Sequence, residues 1–352
     1  MSGADRELDL PGRERSPWQR LYGALLARRR QRWAGRAVRL PHPTISVGNL
    51  HWGGGGKTPL VAALAATLRD SGRRVGILSR GYGRRERAAR VVSVGEGPLV
   101  DAEQAGDEPV LLAERLPGVA VAVCGDRCAA AAALEATTAV DCFLLDDAFS
   151  HVRVARDLDL LAFPAIRPLG GGRLLPSGRL REPLSASRHA DAAVLTGLDR
   201  LDAEAVARLD AALRACGFRG RSFGAALEAA LLPPAPEATA DRFLLVSATA
   251  RPEAVRRTAE RLGLAVVGHL VFRDHHRYRE RSLAKVRRHA HAAGAAVLTT
   301  SKDRVKLAGR LGLPLWEIAV EARPEPELLR WLLERLRAIE EAHGTSRSRA
   351  GR

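Results

Sequence analysis

The sequence predicts an α/β fold in which helices cover both faces of a mostly parallel sheet. Short apolar runs alternate with helical stretches along the chain, and most of the short runs are apolar at consecutive positions. Strands that are buried on both faces have this pattern, and parallel sheets bury their strands in this way. With 352 residues, the chain is also long enough for a second, smaller α/β domain.

The predicted strands of the first half are apolar runs of this kind. They are TISVGNL, RVGILS, GVAVAVC, VDCFLLDD, DLDLLAF and DAAVLTG, with helices over residues 57–70, 108–116, 126–136 and 201–215. The second half repeats the alternation and ends in a long charged helix. Its strands are RFLLVSA, VVGHLVF, AAVLTTS and LPLWEIAV, with helices from Pro252 and over 281–293.

An Ala- and Pro-rich stretch around Phe223–Ala240 is the predicted boundary between the two halves, because such residues interrupt regular structure. The predicted organisation has four parts. These are a polar leader with an N-terminal helix (1–40), a first α/β domain (41–225), a second α/β domain (226–343) and a disordered tail (344–352).

A basic amphipathic helix is predicted to begin at Ser16-Pro17, where Ser can cap a helix and Pro fits its first turn. Such a helix is typical of a lipid interface, with aromatic rings at head-group depth. The alternative is a helix that docks on the domain core and keeps its basic face in water. The apolar face comprises Trp18, Leu21, Tyr22, Leu25, Leu26 and Trp33, and the arginines that lie mostly elsewhere are Arg20, Arg28, Arg30 and Arg36.

The net charge of +16 indicates an anionic partner: nucleic acid, anionic lipid head groups or a phosphorylated substrate. An Arg-rich surface that only keeps the chain soluble is the alternative. The four cysteines form no CxxC pair and no metal-ligand spacing, which is typical of reduced thiols in the cytosol. No apolar run approaches the ~18 residues of a membrane span, and the leader is too polar for a signal peptide. We therefore expect a cytosolic location.

The strongest local motif is a glycine cluster between an apolar strand and an apolar helix, ISVGNLHWGGGGKTPLV. Glycines let successive backbone N–H groups face phosphate oxygens, and the helix N-terminus adds partial positive charge. Lys57 is predicted to reach the β- and γ-phosphates of ATP, and Thr58 to bind Mg²⁺ through its hydroxyl. The motif therefore predicts a fold of the P-loop NTPase type.

The match to the P-loop pattern is imperfect, because His51 stands where the first Gly belongs. A flexible glycine loop without a ligand is the alternative interpretation. The predicted nucleotide-binding residues are His51, Trp52, Gly53, Gly54, Gly55, Gly56, Lys57 and Thr58.

Two adjacent carboxylates, Asp146 and Asp147, end the predicted strand VDCFLLDD. An acidic residue at this end of a strand beside a P-loop holds Mg²⁺ directly or through water. Paired acids after a strand are otherwise common in turns. With the P-loop upstream, Thr58, Asp146 and Asp147 are the predicted metal residues.

Two further segments carry candidate acid–base groups. GDEP places Asp107 and Glu108 at a predicted helix start, where capping alone could account for them. FRDHHRY places an acid beside two histidines in the second half. A kinase needs a base for the proton of the acceptor hydroxyl, and an Asp oriented by a His can serve. A surface cluster without catalytic role is the alternative for both segments.

Taken together, these segments resemble one family, tetraacyldisaccharide 4'-kinase, the lipid A 4'-kinase. The resemblance covers nearly the whole chain, and its motifs occur in one order. They are VGNL…GG.GKTP (Val47–Pro59), LSRGYGR (Leu78–Arg84), AGDEPVLLA (Ala105–Ala113), DD…H…ARD (Asp146–Asp157), G.GRLLPSG.LREP (Gly170–Pro183), F.DHH.Y (Phe272–Tyr278) and T.KD.VKL (Thr300–Leu307).

The resemblance implies transfer of the γ-phosphate of ATP, with Mg²⁺, to the 4'-hydroxyl of tetraacyldisaccharide 1-phosphate, giving lipid IVA. It also implies an enzyme on the cytoplasmic face of the bacterial inner membrane. Many members of the family have a more hydrophobic N-terminal helix, whereas the helix of this chain predicts a peripheral, monotopic attachment to an anionic membrane surface. Asp107 is then the general base, His275 its partner and Lys57 a third catalytic residue. The substrate residues it implies are Glu108, Arg127, Arg181 and Glu182.

The chain departs from the family pattern where DDGLQH is replaced by DDAFSH, with Ala148 and Ser150. A catalytically weakened membrane-bound relative is therefore one alternative function. A basic, nucleic-acid-associated P-loop ATPase is another, although no helix-turn-helix, zinc-finger or aromatic-rich single-strand motif is present. We expect no nucleic acid partner, and no obligate protein partner is evident from the sequence.

Overall fold

A computed structural model describes residues 17–53 and 56–350 of the chain, and a single 12-stranded sheet passes through them. Its strand order is β10-β9-β11-β12-β8-β7-β6-β1-β5-β2-β4-β3. The polar leader through Ser16, Gly54 and Gly55 of the glycine cluster, and the last two residues lie outside the described residues. The mostly parallel sheet confirms the predicted fold class.

The strands form two parallel sets that run in opposite directions. The first set spans β1 to β8, with β3 antiparallel at its edge, and the second comprises β9 to β12. The sets join where β12 pairs antiparallel with β8. The strands are β1 (Thr44–Gly48), β2 (Val75–Ser79), β3 (Arg90–Ser93), β4 (Ala120–Val123), β5 (Cys142–Asp146), β6 (Leu158–Pro164), β7 (Ala192–Leu198), β8 (Arg221–Leu232), β9 (Phe243–Ser247), β10 (Val266–Val271), β11 (Ala296–Thr300) and β12 (Leu315–Pro324).

The helices pack on both faces of this sheet. They are α1 (Pro17–Trp33), α2 (Lys57–Asp70), α3 (Ala102–Ala105), α4 (Asp107–Arg115), α5 (Arg127–Glu135), α6 (Ala203–Arg214), α7 (Pro252–Arg261), α8 (Glu280–Ala293), α9 (Ser301–Leu307) and α10 (Pro326–Ala350). On one face of the first set of strands, α2, α4 and α10 cover one apolar core. On the other face, α5 and α6 cover two further cores. The central strands are buried along their whole length, which explains why their sequences are apolar at consecutive positions and do not alternate apolar with polar residues.

Strand β8 was not predicted, and it overlaps the stretch taken as a domain boundary. Its sequence, RSFGAALEAALL, is rich in Ala, which has little preference for strands. Pairing with β7 on one side and β12 on the other stabilises it, so tertiary contacts override local propensity. The predicted boundary between residues 225 and 226 falls inside this strand; the division into domains stays a prediction.

Helix α1 lies against the body of the protein with only part of its apolar face. Tyr22, Leu26 and Trp33 are half-buried, and Gln19 is buried. The remaining apolar side chains form an outer stripe, Trp18, Leu21 and Leu25, whose exposed fractions are 49%, 55% and 54%. The six residues predicted to share one face are therefore divided between the protein core and solvent.

In the described part of the chain, no helix is both long and apolar enough to cross a membrane. The final helix, α10, runs to Ala350 and includes residues 344–350 of the predicted disordered tail.

Candidate active site

The glycine cluster joins the carboxyl end of β1 to the start of α2, as a P-loop requires. Gly56 precedes the helix with φ 75° and ψ 15°, a left-handed conformation that favours glycine. Lys57 and Thr58 begin α2, so the first N–H groups of this helix face the same edge of the sheet as the end of β5. This edge presents the partial positive charge that anionic ligands prefer.

Lys57 lies in a network that includes the second carboxylate of the DD pair. Its Nζ donates to Asp147 Oδ1 at 2.7 Å and to Asn49 Oδ1 at 3.1 Å. Arg181 also donates to both carboxylate oxygens of Asp147, with Nη1 3.0 Å from Oδ2. Burial alone would raise the pKa of Asp147, but the charges of Lys57 and Arg181 outweigh it and hold the pKa well below its usual range.

Asp146 has a different environment, because its carboxylate is buried and its Oδ1 has no hydrogen-bond partner among the described residues. Its Oδ2 accepts a hydrogen bond from Ser79 at 3.0 Å. Burial raises the pKa of Asp146, and the charges of Glu108 and Asp147 raise it further. A buried carboxylate with a free oxygen beside two other acids is a site where a cation relieves repulsion, so the residues fit Mg²⁺.

In the part of the chain that the structure describes, no three His, Cys, Asp or Glu side chains are grouped as a protein-only metal site.

The predicted acid–base pair is formed by residues from the two halves of the chain. Asp107 begins α4, and His275 follows β10; His275 Nδ1 lies 3.0 Å from Asp107 Oδ2 and 3.2 Å from Oδ1. Gly106, just before Asp107, lets the Tyr82 backbone pack against the start of α4, because its φ is 95° and a Cβ there would lie 2.7 Å from the carbonyl oxygen of Tyr82. The Tyr82 ring stacks on the imidazole with centroids 6.4 Å apart.

The two partners differ in exposure and in the direction of their pKa shifts. The Asp107 side chain is 5% exposed, whereas that of His275 is 33% exposed. Burial would raise the pKa of Asp107, but the hydrogen bond with His275 and the charge of Lys306 hold it well below its usual range. The same hydrogen bond raises the pKa of His275 above its ordinary value.

Backbone strain marks two of the predicted residues. Among the described non-glycine residues with positive φ are Asp147, at 50°, and His275, at 56°. A left-handed conformation is unfavourable for such residues and persists where surrounding contacts enforce it, often at functional sites.

Helices α4 and α9 hold the two halves together through ion pairs. Lys302 pairs with Glu108, and Arg304 pairs with Glu114. Glu108 is thus engaged with the second half, although its charge still acts on Asp146.

The remaining predicted residues lie around the carboxyl ends of β1 and β5 and differ in how far they are buried. His51 is buried, and desolvation lowers its pKa to about 4, so it is neutral at pH 7. Trp52 is 63% exposed, and Gly53 accepts a hydrogen bond from the Asn49 side chain. Glu182 is buried and forms an ion pair with Arg30 of α1 at 2.6 Å.

Arg127 is 1% exposed, and it lies behind the site rather than on its surface. Its guanidinium donates to the carbonyl oxygens of Cys124 and Asp146, at the ends of β4 and β5. The side chain therefore fixes the strand end that carries the two aspartates.

Four residues at the site had no predicted role: Asn49, Ser79, Tyr82 and Lys306. All four lie within motifs that carry the family resemblance, which was the available signal. Their roles depend on contacts across the fold, so no local pattern could assign them.

A P-loop after β1, a carboxylate pair at the end of β5 and an Asp–His dyad between the two halves of the chain are together the features of an ATP-dependent kinase of the P-loop class. A family model described as tetraacyldisaccharide-1-P 4'-kinase matches residues 15–337. The chain belongs to this family.

The relatives agree with this assignment. A tetraacyldisaccharide 4'-kinase of Anaeromyxobacter sp. (strain Fw109-5) is 47% identical over 285 residues, covering 76% of this chain and 74% of the relative. That of Geobacter sulfurreducens is 40% identical over 316 residues, covering 86% and 87%. A crystal structure of Aquifex aeolicus LpxK in complex with ATP matches with a TM-score of 0.72 and 31% identity, over 91% of this chain and 97% of that one.

Proposed function

We propose that this chain transfers the γ-phosphate of ATP to the 4'-hydroxyl of tetraacyldisaccharide 1-phosphate, giving lipid IVA. The contact between Asp107 and His275 carries the proposal, because it pairs a carboxylate with an imidazole next to Glu108, whose charge acts on Asp146 at the end of β5. The acceptor class comes from the family, and the geometry of the dyad supports transfer to a hydroxyl group.

His275 is the base in this proposal, and Asp107 orients it. This reverses the division of roles that the sequence suggested. A carboxylate with a strongly lowered pKa is a weak base, whereas the imidazole has a raised pKa and is the more exposed partner. With Nδ1 bound to Asp107, Nε2 is the nitrogen that accepts the proton of the 4'-hydroxyl.

Lys57 and the N-terminus of α2 bind the triphosphate. Lys57 now pairs with Asp147, and Arg181 offers that carboxylate an alternative partner. Lys57 can therefore turn toward phosphate oxygens while Asp147 keeps a counter-charge. Thr58, Asp146 and Asp147 are the residues that would hold Mg²⁺, which neutralises charge on the phosphates when bound.

The substrate residues divide into direct and indirect roles. Arg181 lies on Asp147 beside Lys57 and can contact an anionic group, while Glu182 ties this segment to α1 through Arg30. Glu108 follows Asp107 in α4 and pairs with Lys302, and Arg127 supports the site from behind.

We also propose that α1 rests on an anionic membrane surface at the cytoplasmic face of the bacterial inner membrane. The outer stripe of Trp18, Leu21 and Leu25 supports this, because it exposes apolar side chains beside basic residues. A lipid acceptor must be reached at such a surface.

The experiment is incubation of the purified chain with γ-labelled ATP, Mg²⁺ and tetraacyldisaccharide 1-phosphate in detergent micelles. Label in the lipid fraction is the expected result, and none is expected when the acceptor is left out. Label transfer to nucleic acid or only to water would contradict the proposal.

A further inference from the structure

A second cation contacts the buried partner of the dyad. Lys306 Nζ lies 3.3 Å from Asp107 Oδ2, the oxygen that also faces His275 Nδ1. The Lys306 side chain is 9% exposed and its charge helps to keep Asp107 ionised. Asp107 is therefore held between two donors from the second half of the chain. They are His275, which follows β10, and Lys306 of α9.

Lys306 is itself fixed by a carboxylate that solvent does not reach. Its Nζ forms an ion pair with Asp303 Oδ1 at 2.9 Å, and the Asp303 side chain is fully buried. Asp303 Oδ2 accepts hydrogen bonds from the Ala248 N–H at 2.8 Å and the Thr300 hydroxyl at 2.9 Å. Because the Asp303 carboxylate is fixed by these hydrogen bonds, it also fixes the position of the Lys306 ammonium group.

The same contacts close into a ring around the dyad. The Ala248 N–H donates to Asp303, and the Ala248 carbonyl oxygen accepts from the His275 N–H at 3.3 Å. The ring therefore runs through Asp303, Ala248, His275, Asp107 and Lys306. Each side chain of the dyad is fixed both by its partner and by this framework from β9, β11 and α9.

We propose that Lys306 is a positioning residue for phosphate transfer, which Asp303 holds in place so that Asp107 presents one orientation to His275. The inference rests on the proposed function, in which His275 is the base. Lys306 touches neither ATP nor acceptor in this role; it acts through Asp107.

The role has a consequence for the protonation of His275. Lys306 competes with the imidazolium for the charge of Asp107, so removing its charge favours the protonated imidazole and raises the pKa of His275. Other charged or titratable groups face the dyad from the elements around it and stay in place in the test. They are Tyr82, Asp101, Glu103, Asp274, Arg277, Tyr278, Arg310 and the pair of Lys302 with Glu108.

The experiment compares Lys306→Met and Lys306→Arg with Arg304→Met. Arg304 is the matched control, since it joins the same two helices through Glu114 without touching the dyad. The pH dependence of kcat/KM is measured for each variant, and the His275 imidazole is titrated by NMR in the ligand-free chain. Lys306→Gln replaces Lys306→Met if the Met variant does not fold.

We expect Lys306→Met to move the acid limb of kcat/KM, and the imidazole titration, to higher pH by about one unit. This corresponds to about a tenfold loss of kcat/KM below the pKa. Lys306→Arg should restore the wild-type pH profile. Arg304→Met should lower the Tm but leave the pH profile of kcat/KM unchanged.

An unmoved profile in Lys306→Met, or an equal shift in Arg304→Met, would overturn the positioning role. A His275→Ala variant separates this failure from failure of the proposed function. If His275→Ala retains wild-type transfer, the base assignment is wrong. If it loses transfer while Lys306→Met leaves the profile unmoved, the inference alone is wrong.

Discussion

The division of roles between Asp107 and His275 makes the sharpest prediction. When both residues are replaced, the losses of activity of the two single variants should not multiply. Asp107 acts only through His275, so a chain that already lacks the imidazole loses little more when the carboxylate is replaced. The variants are Asp107→Asn, His275→Ala and the two together.

The magnitudes follow from the contacts. A hydrogen bond to a charged group contributes about 1.5–3 kcal/mol, so Asp107→Asn should lower kcat by about 10- to 150-fold. Removing a positioned base costs roughly 10²–10⁴-fold, which is the range for His275→Ala. The double variant should match His275→Ala within about threefold, because the pair works as a unit.

The assay is label transfer to the lipid under saturating ATP, with nucleotide affinity measured separately. Nucleotide affinity should stay near wild type, since neither residue contacts Lys57 or Asp147. Glu114→Gln is the control, because it makes the same acid-to-amide change on α4 and breaks a pair with Arg304. Independent, multiplicative losses in the double variant would refute the reasoning.

Three further predictions follow from the same structure. Lys57→Ala should nearly abolish transfer, because the charge that stabilises the transferred phosphoryl group is lost, and near-normal turnover would show that ATP binds elsewhere. Serines throughout the outer stripe of α1 should release the chain from anionic vesicles in a pelleting assay while circular dichroism stays unchanged; Val271→Ser, an exposed apolar change on β10, should not. The acid limb of kcat/KM should lie above pH 6.5, because the raised pKa of His275 keeps the imidazole protonated to higher pH, and a limb near pH 4 would point to a carboxylate base.

The fold class and the P-loop could be predicted from sequence because both are local patterns. Apolar runs with polar ends predict buried parallel strands, and a glycine cluster before Lys57 predicts a phosphate cradle wherever the fold places it. Strand β8 could not be predicted, since its Ala-rich sequence forms a strand only through pairing with β7 and β12.

Within the site, the Asp107–His275 dyad likewise depends on tertiary contacts that the local sequence does not record. Asp107 and His275 were both predicted as site residues, but the proposed choice of His275 as the base rests on the exposure and the pKa directions of the two groups, neither of which a motif records. Arg127 was expected among the substrate residues, and its burial behind β5 follows from tertiary packing rather than from its own segment.

The most direct test of the central claim is the position of the new phosphate on the lipid product. Tetraacyldisaccharide 1-phosphate is incubated with the chain, ATP and Mg²⁺, and the purified product is examined by ¹H–³¹P correlation NMR. The account predicts a second phosphorus signal that correlates with the 4' proton of the distal sugar, and none in the Lys57→Ala reaction. A correlation with any other proton, or an unchanged lipid after complete hydrolysis of ATP, would contradict it.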